Sequence, residues 1–154
     1  FNSGPTRDLF GRTLVYADVV EAEAMEARLV DAEGLARGLN EQGRIVVPSI
    51  FFDTGRAELK PESDPALDEI GRLLTGQAQL ALYVVGHTDN VGKYEANLAL
   101  SRARAESVVA ALVTRHGIER SRLVPAGVAD LAPLASNATE SGRAMNRRVE
   151  LVAR

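Results

Sequence analysis

The chain has 154 residues, of which 45% are hydrophobic and 25% charged, the composition of one ordinary globular domain. It has no apolar run near the roughly 20 residues that cross a bilayer. Its 18 Lys and Arg are interleaved with 21 Asp and Glu, so no basic stripe predicts a nucleic acid partner. The absence of cysteine excludes disulfides, cysteine-ligated zinc, iron–sulfur clusters and thiol nucleophiles. Because the chain opens without Met or a basic, apolar leader, we expect a processed or trimmed piece of a longer precursor.

The N-terminal part of the chain, residues 1–43, predicts only short elements. Apolar and β-branched residues favour two strands, at Leu14–Tyr16 and Ala27–Val30. A short helix follows, with Asp31 as its N-cap and Gly43 at its end. We interpret this part as an N-terminal extension or linker.

A more regular pattern begins at residue 44 and predicts one domain over residues 44–154. Strands that alternate with helices of this length imply right-handed crossovers and a sheet covered by helices. We therefore predict an α+β fold, a βαβαββ two-layer sandwich whose mixed sheet carries two long helices on one face. The predicted elements are a strand in RIVVPSIFF (44–52), a helix in KPESDPALDEIGRLLTG (60–76), a strand in QLALYVVGH (79–87), a helix in YEANLALSRARAESVVAALVTRHG (94–117), a strand in SRLVPAGVAD (121–130), a short helical turn in ESGRAMN (140–146) and a strand in RRVELVAR (147–154).

The second long helix has an apolar stripe and a polar rim. Asn97 lies seven residues before Arg104 and so within about 20° of it on the helical wheel, and Ser101 lies between them. Arg102 points well away from this rim, which makes Arg104 the better candidate for a function. The stripe predicted to face the sheet consists of Leu98, Ala105, Val109 and Leu112.

Asp89 follows directly after the second predicted strand of the domain, where the open edge of an α/β layer commonly forms a ligand crevice. Together with Arg104 on the following helix, it would offer an anion to an ammonium group and a planar cation to a carboxylate. Such a pair is suited to a zwitterionic ligand. The structural alternative is that Asp89 caps its loop and pairs with Arg104 or a neighbour.

Other chemistries have less support in the sequence. His87 and Asp89 could begin a metal site, but His116 is the only other histidine and no third clustered ligand is evident. Ser101 has no His and Asp spaced to activate it as a nucleophile. We therefore predict no metal, no cofactor and no catalytic residue.

The tandem arginines Arg147 and Arg148 stand at the head of the last predicted strand. Successive side chains of a strand point to opposite faces, so one can reach the crevice while the other is solvated or pairs with a helix. The register of the strand decides which arginine does which.

Several motifs in the right order and spacing resemble the OmpA-like peptidoglycan-binding domain. The resemblance covers roughly residues 45–152, and the agreement of several motifs at once makes it specific. It leaves residues 1–43 outside. The motifs are FFDTGRAELKPES, GHTDNVG, NLALSRARAESVVAAL, GI…SRLVPAGV and P…SN…GRAMNRRVEL.

This resemblance implies a βαβαββ domain that holds meso-diaminopimelate in the stem peptide of Gram-negative peptidoglycan, without covalent chemistry. Asp89 matches the aspartate that takes the ligand ammonium, and Arg104 matches the arginine that takes its carboxylate. Further positions at or beside the pocket are matched by Asn97, Arg147, Thr88 and Thr54.

Two residues depart from the pattern of the family. Gly55 stands where relatives often carry a polar side chain, and Val91 replaces a frequent polar residue beside the aspartate. Both departures bear on affinity more than on the identity of the ligand.

From the residues and the resemblance together, we predict a periplasmic, non-catalytic domain that binds peptidoglycan and tethers the outer membrane or an envelope complex to the cell wall. Membrane attachment would lie in a missing part of the precursor. The alternative is a signalling or assembly module that binds a protein partner or forms a homodimer through residues 1–43. A peptidoglycan-cleaving enzyme would need a general acid and a nucleophile or metal-bound water, for which the sequence offers no candidate.

Overall fold

The computed structural model describes residues 29–154. The strand predicted at Leu14–Tyr16 lies outside the described residues. So does the first half of the strand predicted at Ala27–Val30, while Leu29 and Val30 lie in no strand.

The short N-terminal helix is confirmed as α1, Ala32–Gln42. The Asp31 side chain accepts a hydrogen bond from the N–H of Gly34, and so caps the helix as predicted. Gly43 ends it in the left-handed conformation, with φ 78°, which favours glycine.

Three further helices and four strands follow α1. Within residues 29–154, no helix combines the length and the apolar character needed to span a bilayer. The elements are β1 (Arg44–Val47), α2 (Asp64–Gly76), β2 (Leu82–Gly86), α3 (Tyr94–His116), β3 (Leu123–Gly127), α4 (Glu140–Asn146) and β4 (Val149–Ala153), with 3-10 turns at Pro61–Ser63 and Arg120–Arg122.

The four strands form one mixed sheet in the order β1-β4-β2-β3. Strands β2 and β3 are parallel, whereas β4 runs antiparallel to both β1 and β2. Helix α3 packs against β2 and β3, and α2 contacts both α1 and α3. This arrangement confirms the predicted α+β, βαβαββ fold with a mixed sheet.

The first strand of the domain is shorter than predicted. The sequence pattern extended it to residue 52, but β1 ends at Val47. Pro48 follows and has no N–H to continue the ladder, so the chain turns away from the sheet. Phe52 then forms an isolated antiparallel bridge with Leu59. The released segment forms one wall of the cleft described below.

One hydrophobic core joins the sheet to the helices. Helix α1 takes part in it through Leu35 and Leu39, although we predicted residues 1–43 as an extension to the domain. The boundary between residues 43 and 44 stays a prediction. Other fully buried side chains of this core are Leu67, Ile70, Leu74, Leu82, Val84, Val108, Val109, Leu112, Val149 and Leu151.

The predicted apolar stripe of α3 is wrong at its first residue. Leu98 is 36% exposed, while Ala105, Val109 and Leu112 are fully buried. The first half of α3 passes the ends of the strands and buries polar residues instead, Asn97 and Ser101 among them. The polar rim predicted for this helix, formed by Asn97, Ser101 and Arg104, is therefore buried.

Two glycines let α3 approach the strand ends closely. A Cβ atom on Gly86 would overlap the backbone carbonyl of Ser101, and one on Gly127 would overlap the backbone nitrogen of Arg102. Only glycine fits at such contacts between a strand and a helix backbone. This approach brings the loop after β2 beside the polar part of α3.

Candidate ligand-binding site

A cleft of about 610 Å³ opens at the end of the sheet where β2 finishes and β4 begins. Its walls come from the segment after β1, the loop after β2, helices α3 and α4, and the residues before β4. The structure brings all six predicted ligand-binding residues to this cleft. They are Thr54, Thr88, Asp89, Asn97, Arg104 and Arg147.

The loop after β2 is held by backbone and side-chain hydrogen bonds. The N–H groups of His87 and Thr88 donate to the carbonyls of Arg148 and Ala129, both at 2.9 Å. The Thr88 hydroxyl donates to the Asp89 carbonyl at 2.8 Å. The backbone that carries the Asp89 side chain is thus held by the fold.

Asn97 fixes the same loop from helix α3. Its side-chain amide donates to the carbonyl of Val91 at 3.0 Å and, more weakly, to that of Asp89 at 3.4 Å. One Asp89 oxygen, Oδ1, accepts a hydrogen bond from the N–H of Val91 at 3.0 Å. Asn97 therefore supports the loop, and Asp89 caps it, as the structural alternative predicted.

Asp89 forms an ion pair with Arg147, not with Arg104. Arg147 Nη1 donates to Asp89 Oδ2 at 2.6 Å, and Nη2 donates to Glu140 Oε2 at 2.6 Å. Burial alone would lower the pKa of Arg147, but the hydrogen bonds that it donates to the carboxylates of Glu140 and Asp89 outweigh burial and raise that pKa. Arg147 is thus a firmly held cation between two carboxylates.

Arg104 is a buried cation with a different set of partners. Its side chain, in a residue only 7% exposed, donates from Nε to the carbonyl of Arg56 at 2.8 Å and from Nη2 to that of Asp53 at 3.2 Å. Neutral carbonyls orient the guanidinium without cancelling its charge. Burial, followed by the positive charge of Arg147, lowers the pKa of Arg104, while Asp89 acts in the opposite direction.

Within residues 29–154, Arg104 forms no ion pair with a carboxylate. A buried guanidinium without a counter-ion is electrostatically unfavourable and is stabilised by an incoming anion. The cleft can therefore bind a carboxylate at Arg104.

One of the tandem arginines reaches the cleft, as the strand geometry predicted, but the other is neither solvated nor paired with a helix, because its partner Glu150 lies in β4. Arg147 reaches into the cleft, while Arg148 is buried and donates from Nε to Glu150 Oε2 at 2.6 Å and from Nη2 to the carbonyl of Ala132 at 2.9 Å. Arg148 also contributes to the wall of the cleft. Only 4% of the Arg148 side chain is exposed, against 37% for Arg147, so Arg147 is the more accessible of the two.

The two departures from the family pattern lie at the rim. Gly55 has φ 72°, a left-handed conformation that glycine adopts without strain, and the neighbouring Thr54 is exposed. Val91 is 64% exposed. These positions can affect affinity without changing the charged interior of the cleft.

Sequence reasoning missed Glu140 and Arg143, which line the cleft from α4. Arg143 Nε donates to Glu140 Oε1 at 3.2 Å. The signal for Glu140 was available, because a residue seven positions before Arg147 falls on the same face of a helical segment. Phe52, whose ring lies beneath Arg104, carried no such signal.

The two histidines lie apart from any metal-like cluster. His116 Nε2 lies 3.2 Å from Asp68 Oδ1, between two helices, and His87 is buried beside Glu150. Among residues 29–154 no group of three or more His, Cys, Asp and Glu side chains could hold a metal ion.

The chain is similar in sequence to proteins of the bacterial envelope. Outer membrane protein Omp38 of Acinetobacter baumannii is 38% identical over 135 residues, which cover 86% of this chain but only 36% of Omp38. The chain thus spans about a third of the length of that relative.

Two solved structures share the fold. The cell wall anchor of the T6SS from Pseudomonas aeruginosa is 30% identical, with a TM-score of 0.61, and the match covers 82% of this chain and 98% of that one. The peptidoglycan-associated lipoprotein from Burkholderia pseudomallei is 28% identical, with a TM-score of 0.63 and coverage of 68% and 88%. The OmpA family model matches residues 51–147, which include Asp89, Arg104 and Arg147. The chain therefore belongs to the OmpA family.

Proposed function

We propose that this domain binds peptidoglycan without covalent chemistry, through the meso-diaminopimelate of the stem peptide. The observation that carries the proposal is that one cleft is lined both by the Asp89 carboxylate and by Arg104, a buried guanidinium that has no carboxylate partner within residues 29–154. The names of two structural relatives, a peptidoglycan-associated lipoprotein and a cell wall anchor, support it.

The free end of the meso-diaminopimelate side chain carries an ammonium and a carboxylate on one carbon, so it is a zwitterion. Its carboxylate would accept from Arg104, which the carbonyls of Asp53 and Arg56 hold in place. Its ammonium would donate to Asp89. Asn97 and Thr88 would act through the loop that they stabilise, and Thr54 and Arg147 would border the ligand.

Two charge-assisted contacts in a part-open cleft predict an affinity of about millimolar to micromolar Kd. Such affinity is sufficient for a tethered domain that faces a polymer repeating its ligand, because tethering raises the effective concentration. We infer a periplasmic role in which the domain links an envelope component to the cell wall. The alternative, a signalling or assembly module that dimerises through residues 1–43, stays a prediction.

The test is a pull-down with purified sacculi of the meso-diaminopimelate type, comparing wild type with Asp89→Ala and Arg104→Ala. Arg102→Ala is the matched control, because Arg102 is exposed on the same helix and pairs with Glu106 at 3.3 Å, outside the cleft. Sacculi with lysine in place of diaminopimelate form a second control. All variants are first checked by circular dichroism.

Wild type and Arg102→Ala are expected to sediment with diaminopimelate sacculi and not with lysine sacculi. Both cleft variants are expected to fold and remain in the supernatant. If the folded wild type does not bind, or if the folded cleft variants bind as well as wild type, this proposal is wrong.

A further inference from the structure

Asp89, the carboxylate proposed to receive the ligand ammonium, already holds a cation. Arg147 Nη1 donates to its Oδ2 at 2.6 Å, and its Oδ1 is occupied by the N–H of Val91 at 3.0 Å. The Asp89 side chain is only 12% exposed, while that of Arg147 is 37% exposed, so water reaches this pair from the Arg147 side. Each carboxylate oxygen can accept a second hydrogen bond, so a ligand ammonium must either share the Asp89 carboxylate with Arg147 or displace Arg147 from it.

Displacement is favoured over sharing. Two cations bound to one carboxylate would lie within a few ångströms of each other, and their repulsion opposes sharing. Arg147 has a second partner, because its Nη2 donates a separate hydrogen bond to Glu140 at 2.6 Å. The hydrogen bond from Arg147 to Asp89 can therefore break while the one to Glu140 remains.

The fold holds the backbone of Glu140, while its side chain is 67% exposed and is held by Arg147 and Arg143. Glu140 is the first residue of α4, and the Thr139 side chain caps this helix. The helix ends at the buried Asn146, which accepts hydrogen bonds from the loop that precedes α4. Hydrogen bonds from Arg147, followed by those from Arg143, lower the pKa of the Glu140 carboxyl, so it is ionised at neutral pH.

We propose that Arg147 is an exchangeable counter-ion of Asp89, and that Glu140 is the positioning residue that retains Arg147 when the ligand ammonium takes Asp89. This inference rests on the proposed function of the cleft. In the empty state, the cleft offers an open carboxylate site at Arg104 and a closed ammonium site at Asp89. Glu140 lowers the free energy needed to open the second site.

The inference distinguishes two ligands with the same carbon skeleton. meso-Diaminopimelate carries carboxylates and ammonium groups, while pimelate carries the carboxylates alone. Binding of pimelate at Arg104 requires no exchange at Asp89. Glu140 should therefore affect the affinity for diaminopimelate and not that for pimelate.

The experiment is a pair of NMR titrations of the whole chain, with meso-diaminopimelate and with pimelate, for wild type and Glu140→Gln. The Glu140→Gln variant is expected to bind diaminopimelate roughly 3- to 5-fold more weakly, with pimelate affinity unchanged or slightly higher. Glu106→Gln is the matched control, because Glu106 is an exposed partner of Arg102 that lies outside the cleft. It should change neither affinity.

Arg147→Met completes a double-mutant cycle. Alone, it should tighten diaminopimelate binding, because the ligand ammonium no longer has to displace a cation from Asp89. It should weaken pimelate binding, because a cation near the bound carboxylate is lost. In this background, Glu140→Gln should have no further effect on diaminopimelate affinity.

An equal loss for both ligands in Glu140→Gln, no loss at all, or a loss that persists beside Arg147→Met would overturn the role of Glu140 while leaving the proposed function intact. A wild type that binds neither ligand overturns both proposals.

Discussion

The guanidinium of Arg104 lies over the ring of Phe52, with Cζ 4.9 Å from the ring centroid. Phe52 belongs to the segment that leaves the sheet after β1, and the carbonyls of Asp53 and Arg56 in the same segment accept hydrogen bonds from Arg104. Helix α3 and this segment thus hold one cation on three sides. Within residues 29–154, Nη1 of Arg104 has no hydrogen-bond partner and remains for a ligand.

We predict that Arg104→Lys loses ligand binding although it keeps the positive charge. A lysine ammonium cannot donate to both carbonyls, lie over the ring and still present a donor in the same direction. The Kd for meso-diaminopimelate, measured by NMR titration, is expected to rise by about 10-fold or more, equivalent to about 1.4 kcal/mol.

Arg102→Lys is the control for this substitution, because Arg102 is exposed on the same helix and its charge is retained. It should leave the Kd unchanged. Near-wild-type affinity in Arg104→Lys would show that charge alone suffices and would contradict the role given to the guanidinium geometry.

We predict that Gly86→Ala destabilises the protein through the contact between β2 and α3. The new Cβ atom would overlap the backbone carbonyl of Ser101, which cannot move without shifting the helix. Overpacking of this kind costs about 1–3 kcal/mol, and backbone contact favours the upper part of that range. The measurement is urea unfolding followed by circular dichroism.

Gly76→Ala is the matched control for the loss of a glycine. No atom lies within 4 Å of a Cβ at Gly76, and Gly76 ends α2 without a positive φ. Its free energy of unfolding should stay equal or rise slightly. Equal unfolding curves for Gly86→Ala and wild type would show that the helix can shift freely at this contact.

Much of the fold could be predicted from local pattern. The apolar positions Leu67, Ile70, Leu73 and Leu74 gave the buried face of α2, and caps at Asp31 and Gly43 gave the bounds of α1. These features depend on neighbours within a few residues. The end of β1 could also have been predicted from Pro48. The apolar run after Pro48 instead made the predicted strand too long.

The contacts of the candidate site depend on distant segments and were less predictable. Helical spacing placed Asn97 and Arg104 on one rim, and both line the cleft. The partner of Asp89 is Arg147, 58 residues away, and only the register of β4 decides that it is this arginine and not Arg148. The partners of Arg104 are backbone carbonyls, which every residue carries and no residue type reveals.

The exposure of Leu98 has a related cause. A helical wheel shows which residues share a face, but it cannot show where along its length the helix leaves the sheet. In α3 that point falls before Ala105. The buried residues before it are polar, namely Asn97, Ser101 and Arg104, whereas the apolar Leu98 is 36% exposed.

We predict that Asn146→Ala destabilises the wall of the cleft. Asn146 is fully buried, and its Oδ1 accepts from the N–H groups of Leu134 and Ala135 at 2.7 and 3.0 Å, while Nδ2 donates to the Ala135 carbonyl at 2.9 Å. Truncation leaves two backbone donors without partners, at a cost of about 2–4 kcal/mol in the free energy of unfolding.

Urea unfolding of Asn146→Ala is compared with that of Asn90→Ala, whose exposed side chain makes no such bonds. The control should lie within about 0.5 kcal/mol of wild type. A similarly small effect at Asn146 would mean that the loop rearranges to satisfy its own backbone groups.

We predict that the protein loses stability in acid, because His87 is buried next to a charged group. Its Nε2 lies 3.7 Å from Glu150 Oε2, and neither ring nitrogen forms a hydrogen bond within residues 29–154. Burial and the positive charge of Arg148 lower the pKa of His87 from 6.5 to about 4, despite the opposing effect of Glu150.

This shift makes the folded protein less stable as the pH falls. Between pH 6.5 and about 4, the unfolded chain binds a proton at His87 and the folded chain does not, so the free energy of unfolding rises with pH across this window. Glu150 acts in the same direction. Burial alone would raise its pKa, but Arg148 and then His87 lower it, so its stabilising contribution is lost as acid protonates it.

The measurement is urea unfolding at several pH values between 7 and 4, for wild type and for His87→Gln, which cannot titrate. Wild type should lose more stability over this window than the variant, because only wild type takes up a proton at residue 87 on unfolding. NMR titration of the His87 ring in the folded protein should give a midpoint near pH 4. A midpoint near 6.5, with parallel stability profiles for the two proteins, would show that His87 titrates as freely as in the unfolded chain and that the acid sensitivity arises elsewhere.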